Sequence, residues 1–190
     1  FGQVTSVLTR HSCNEGDWHP DSSMRDFISR AQNPVDDTDG QLLVLFALAA
    51  SIRGKHFLEL GVRHGRSTLP LLWAAHLSGG HLTSVDTRDT EFACPAEFKA
   101  SWSLLKQDTV EYLSGVDRSV RFDLVFVDDW HAYPHVKREL ELLDPLVGPG
   151  SLILLHDTMH GHTEPFYNVD LTLEEGQWEG GGPYRAVAEL

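Results

Sequence analysis

The sequence predicts an α/β protein built on a Rossmann-like, doubly wound, mostly parallel sheet with helices on both faces. Three observations predict it. Short apolar runs of strand length recur along the chain, and stretches with helical spacing separate them. Such alternation implies parallel pairing through right-handed crossovers. Polar residues also gather where each strand would end, the place where open parallel sheets bind ligands.

The elements follow in order. Residues 1–38 are mixed and polar and form an N-terminal segment or helical cap, with one short helix expected at Ser22–Ala31. Asn33-Pro34-Val35-Asp36-Asp37 reads as a turn. Leu42, Leu43, Leu45, Phe46 and Leu48 have helical spacing and predict a buried helix, which opens the main domain of residues 39–190. His56–Leu60 is a strand, followed by a glycine turn and a helix over Ser67–Leu77. His81–Asp86 is the second strand. A helix near Pro95–Ser101 precedes a weak strand at Ser103–Lys106, and Phe122–Asp128 is the strongest strand signal. A helix over His135–Leu143 is closed by Pro145, Gly148, Pro149 and Gly150. Ser151–Leu155 is the last strand. Thr158–Gly182, rich in glycine, histidine and acids, reads as loop, and Pro183–Leu190 as the start of a helix. No antiparallel strand pair follows, so the sheet is expected to be shortened or the native chain to extend past Leu190. A missing edge partner would favour a homo-oligomer.

Composition narrows the function. The 190 residues carry 28 acids against 15 Lys and Arg, a net charge of -13. Such a surface repels phosphate backbones and anionic lipid, so neither nucleic acid nor membrane is expected as partner. No apolar run has bilayer-spanning length. Phe1–Arg10 lacks a leader pattern, although a chain that does not begin with Met leaves this open. Cys13 and Cys94 match no disulfide, metal or redox pattern and read as free thiols of a cytoplasmic protein. No Gly-x-Ser-x-Gly element is present, which counts against a hydrolase.

The cofactor signal lies in Glu59-Leu60-Gly61-Val62-Arg63-His64-Gly65-Arg66-Ser67-Thr68. Gly61 permits the tight turn off the strand, and Gly65 permits close approach of the helix. Asp86, at the end of the next strand, has the right chemistry to accept both hydroxyls of a ribose. Asp108, after the weak third strand, is placed to border an adenine ring. A dinucleotide turn needs a middle glycine, and Arg63 stands in its place. Glu59 would also repel a diphosphate, yet suits the ammonium and sulfonium of S-adenosylmethionine. That cofactor is therefore preferred to NAD(P). A Rossmann-type NAD(P)-dependent oxidoreductase and a non-catalytic binding domain are the alternatives.

Phe122–His131 ends a buried strand in a polar cluster, where strand alternation sends Asp128 and Asp129 to opposite faces. The next strand ends in Leu155-His156-Asp157-Thr158, and parallel neighbours would bring Asp128 and Asp157 together. Two hard carboxylates facing a cleft suit Mg²⁺. His156, His160 and His162 also raise a zinc site, although without companion cysteines they read more simply as polar loop. His64 and Arg66 read as solvated. Trp130, Tyr133 and Trp178 either line an acceptor pocket or pack internally.

Asp39-Gly40-Gln41-Leu42-Leu43, Phe57–Thr68 and Phe122–Asp129 together resemble class I methyltransferases, over residues 38–158. Within that class the chain is similar to small-molecule O-methyltransferases: the catechol O-methyltransferase group, natural-product sugar O-methyltransferases and cephalosporin-hydroxylase-like proteins. The resemblance implies that Glu59, Gly61 and Gly65 line the methionine end, that Asp86 takes the ribose and that Asp108 lies near adenine. Ser67, at the close of the same turn, is counted among these cofactor-binding residues. It further implies that Asp128, Asp157 and Thr158 hold a metal, Thr158 standing where many relatives carry Asn or Asp. His131 falls where the catechol group has its basic residue, which makes it the expected general base. The expected reaction is methyl transfer from S-adenosylmethionine to a hydroxyl of a small sugar, phenol or natural product, with Mg²⁺ assistance left open.

Overall fold

Strands β1 (His56–Leu60), β2 (His81–Asp86), β3 (Trp102–Lys106), β4 (Leu124–Val127) and β5 (Leu152–Leu155) form one sheet in the order β3-β2-β1-β4-β5. Every pairing is parallel. The computed structural model describes residues 22–35, 38–158 and 179–190. Among these, no strand follows β5, and no helix is long and apolar enough to cross a membrane. The strand order reverses between β1 and β4, which makes the carboxyl ends of that pair the switch point of the sheet.

Register decides which residues meet there. Leu60 is level with Val85 and with Val127, and Val127 with Leu155. The next row is therefore Gly61, Asp86, Asp128 and His156. Main-chain bonds carry the ladder into that row, from Gly61 N to Val85 O (2.9 Å), Asp128 N to Leu60 O (2.8 Å) and His156 N to Val127 O (3.0 Å).

Two helical layers cover the sheet, and strand alternation assigns residues to each. On one face, Phe57, Leu82, Leu124 and Phe126 join Phe27 of α1 (Ser22–Gln32), Leu42, Leu45 and Ala49 of α2 (Leu42–Ile52), and Leu71 and Leu72 of α3 (Thr68–Ser78). On the other, Leu58, Leu60, Val125 and Val127 join Leu113 of α4 (Thr109–Gly115) and Leu142 and Leu143 of α5 (Tyr133–Leu143). Helix α6 (Gly182–Ala188) rests on α5 through Ala186 against Val136 and Leu140. With four successive β4 residues buried, nothing along that strand faces water. A strand buried on both sides reads as one continuous apolar run.

The structure corrects several expectations. Helix α2 is buried along one stripe only: Leu42, Leu45 and Ala49 pack inward, whereas Leu43 and Leu48 are exposed. The expected strand at Phe122–Asp128 is shortened to Leu124–Val127, because Asp123 turns its carboxylate onto the amides of Lys55 and His56. The helix expected near Pro95–Ser101 is present as a 3-10 helix over Ala96–Ser101. Helix α4 was not anticipated; Asp108 caps it, its carboxylate accepting the Glu111 amide at 2.8 Å.

Candidate active site

The loop from β1 into α3 is folded around two carboxylates. Asp86 Oδ2 accepts the amides of Val62 (2.8 Å) and Arg63 (3.0 Å), and Oδ1 accepts that of Arg88 (2.8 Å). Three of the roughly four lone-pair positions of a carboxylate are thereby engaged. Arg63 adopts φ +47°, so the position that a dinucleotide turn gives to glycine is left-handed here despite its side chain. Gly61 has no such latitude. Its φ is +90°, and a Cβ there would lie 2.1 Å from the carbonyl oxygen of Asp128. A methyl group would thus push β1 and β4 apart at the switch point.

Glu59 is fully buried beneath this turn. Its carboxylate accepts Ser67 Oγ (2.7 Å), Thr68 Oγ1 (3.0 and 2.9 Å) and Ser84 Oγ (2.6 Å). Trp102 Nε1 donates onward to Ser84 Oγ. Burial lifts the carboxyl to about 7, against the pull of the three hydroxyls. Glu59 braces β1, β2 and the first turn of α3 from within. Ser84, Thr68 and Trp102 carried no sequence signal, since a serine inside an apolar strand declares a partner only once the strands are paired.

A further tie reaches the segment before α2. Asp39 has no exposed surface, and Arg66 Nη1 meets both of its carboxylate oxygens at 2.6 and 2.7 Å. Arg66, expected to be solvated, is thus bound to Asp39, whereas His64 is half exposed near Glu91. Gln41 Nε2 lies 3.4 Å from His156 Nε2.

At the ends of β4 and β5, two carboxylates and two imidazoles converge. His131 Nε2 lies 3.4 Å from Asp128 Oδ1 and 3.3 Å from Asp157 Oδ2. His156 Nδ1 lies 3.4 and 3.2 Å from the same two oxygens. Asp157 takes φ +54°, a conformation costly for any residue but glycine, and one that Asp tolerates better than most. Burial raises the Asp128 carboxyl above its ordinary value, against the hydrogen bond and charge of His131 and the charge of His156. Asp128, His131 and Asp157 each offer one donor atom within 4.8 Å of the others. Thr158 follows, partly buried. Asp129 faces the opposite way, as alternation requires, toward Thr109 and His135. His156 therefore belongs with Asp128 and Asp157; His160, His162, Trp178 and Cys13 lie outside the described residues.

A methyltransferase-domain family model matches residues 58–158, from the middle of β1 to the cluster after β5. The chain belongs to the methyltransferase-domain family. That membership decides for a methyltransferase over the NAD(P)-dependent oxidoreductase and the non-catalytic domain. No curated protein sequence matches. Among solved structures, the SAH-bound methyltransferase PaMTH1 of Podospora anserina is 16% identical, with a TM-score of 0.57 over 100% of this chain and 85% of that one. An O-methyltransferase of Bacillus cereus in complex with SAH is 17% identical, with a TM-score of 0.55 over 98% and 81%. A caffeoyl-CoA O-methyltransferase-like protein of Staphylococcus aureus is 17% identical, with a TM-score of 0.52 over 85% and 75%. At these identities the likeness is one of fold.

Within this methyltransferase domain, Gly61, Asp86, Asp128, His131 and Asp157 stand along the switch-point edge, while Glu59 and Ser67 lie buried behind it. Asp108 stands apart as the exposed cap of α4.

Proposed function

We propose that this methyltransferase domain transfers a methyl group from S-adenosylmethionine to a hydroxyl of a small acceptor. The observation that carries the reading is the pairing of His131 with Asp128 and Asp157, beside the Gly61 turn and inside the family match. Asp86 would take the ribose through what acceptor capacity the three amides leave it, and Asp108 would border the adenine. Gly61 and Gly65 would shape the methionine end. Glu59, with the hydroxyl of Ser67, acts through the turn it holds rather than by touching the cofactor. The acidic surroundings of the switch point favour a ligand bearing a sulfonium and an ammonium over one bearing a diphosphate.

His131 would accept the acceptor's proton, with the flanking carboxylates stabilising the imidazolium that forms. Asp128 and Asp157, with Thr158, would hold a divalent cation such as Mg²⁺; the donor set fits one, since two partly buried carboxylates converge there. When bound, such a cation polarises an acceptor oxygen and lowers its pKa. The net charge of -13 supports a small acceptor rather than nucleic acid. We also keep, as a proposal, the division into a cap of residues 1–38 and a domain of residues 39–190; Phe27 of the cap packs into the same cluster as Leu42.

The test incubates the protein with methyl-labelled S-adenosylmethionine and a panel of catechols, phenols and sugars. Label is expected on oxygen. His131→Gln should slow transfer by about a hundredfold to ten-thousandfold while leaving S-adenosylhomocysteine affinity within a few-fold. Label found only on nitrogen or carbon, or an unimpaired His131→Gln, would contradict the assignment.

A further inference from the structure

Asp129, the neighbour of Asp128, takes part in a second cluster on the opposite side of the sheet, under α4 and α5. Asp129, His135 and Glu139 each bring one donor atom within 4.8 Å of the others. His135 and Glu139 stand four residues apart on α5, one helical turn, and so share a face. His135 Nε2 lies 3.0 Å from Asp129 Oδ2, 3.0 Å from Thr109 Oγ1 and 3.5 Å from Glu139 Oε1. Thr109 Oγ1 donates to Asp129 Oδ2 at 2.7 Å. Three oxygens therefore surround a ring nitrogen that carries at most one proton.

Glu139 is the residue that this arrangement leaves unexplained. It has no exposed surface, and neither carboxylate oxygen has a hydrogen-bond partner; Asp129 Oδ1 also has none. A buried carboxylate whose nearest donor is one imidazole at 3.5 Å is poorly satisfied, and such groups are commonly paired or bound to metal. Among the described residues the only cation within reach is a protonated His135, one positive charge against two carboxylates. A divalent cation would balance both carboxylates and leave the imidazole neutral, the state in which it is a ligand.

We propose that Asp129, His135 and Glu139, with the Thr109 hydroxyl beside them, form a divalent-cation site separate from the Asp128–Asp157 cluster. The mixed nitrogen and oxygen donors fit Zn²⁺, whereas Mg²⁺ prefers oxygen ligands and retained water. An ion there would tie the end of β4 to α4 and α5, and so hold in place the segment that carries Asp128 and His131. The proposal is independent of the methyl-transfer reading.

Co²⁺ is the probe of choice, because four-coordinate Co²⁺ absorbs strongly in the visible and replaces Zn²⁺ in tetrahedral sites. The full chain is stripped with a chelator and titrated with Co²⁺, alongside Asp157→Asn, Glu139→Gln and His135→Gln. The proposal expects a visible band in the parent and in Asp157→Asn, displaced by one equivalent of Zn²⁺. In Glu139→Gln and His135→Gln the affinity should fall by about a hundredfold or more. A band absent from the parent, undiminished in His135→Gln, or lost in Asp157→Asn would overturn it and leave a proton shared between two carboxyls. Should Glu139→Gln not fold, the parent, Asp157→Asn and His135→Gln spectra decide the matter alone.

Discussion

Glu59 shows how one buried side chain makes the candidate site depend on pH. Its carboxyl is held at about 7 by burial, whereas the ordinary value is 4.5. Below pH 4.5 both folded and unfolded chains hold the proton. Between 4.5 and about 7 the folded chain keeps a proton that the unfolded chain has released, so its contribution to stability falls as pH rises through that window. The loss is at most on the order of 3 kcal/mol. Glu59→Gln, which has no proton to exchange, should therefore show a shallower decline in urea-derived stability between pH 4.5 and 7 than the parent. Parallel slopes would show that the carboxyl titrates normally. Gly61 allows a second prediction at this scale. Gly61→Ala sets a methyl group 2.1 Å from the Asp128 carbonyl, on a backbone with φ +90°. It should cost about 2 kcal/mol or more of folding free energy, as strain and overpacking add. A melting temperature equal to the parent's would contradict the close approach of β1 and β4.

Among the elements, the parallel strands were legible because each is a short apolar run with a polar residue at its carboxyl end. Helix α4 was not, since seven residues with few apolar positions make a weak periodic signal. Its start was nonetheless written in Asp108-Thr109-Val110-Glu111, an acid with a Glu three residues on, the pattern of a capped helix. Asp108→Ala should lower stability by about 1 kcal/mol, measured by denaturant unfolding. Should S-adenosylhomocysteine affinity stay unchanged, Asp108 is a cap alone; a loss of affinity supports its place beside the adenine. Helix α2 misled in the opposite direction, because its leucines surround the helix and a count of apolar residues cannot say which face finds a neighbour. The same limit hid His135 and Glu139. Helical spacing puts them on one face, but only the packing of α5 against the end of β4 sets Asp129 between them and α4.

For the whole molecule, the site is a product of topology. Reversing strand order between β1 and β4 puts Gly61 beside Asp128, and pairing β4 with β5 puts Asp128 beside His156 and Asp157. Alternation along β4 then sends Asp128 and Asp129 into separate clusters on the two faces of one sheet. The pairing of Asp128 with Asp157 followed from strand order alone, while the inclusion of His156 required the register. The Asp39–Arg66 pair fastens the start of the domain to the same turn, which neither charge pattern nor periodicity could reveal across that separation.

The measurement that tests the account most directly is calorimetric titration of the protein with S-adenosylhomocysteine, and separately with NAD, each with and without Mg²⁺. Saturable binding of S-adenosylhomocysteine that Asp86→Ala weakens is expected, with no binding of NAD. A folded protein that fails to bind S-adenosylhomocysteine, or that binds NAD in its place, would contradict it.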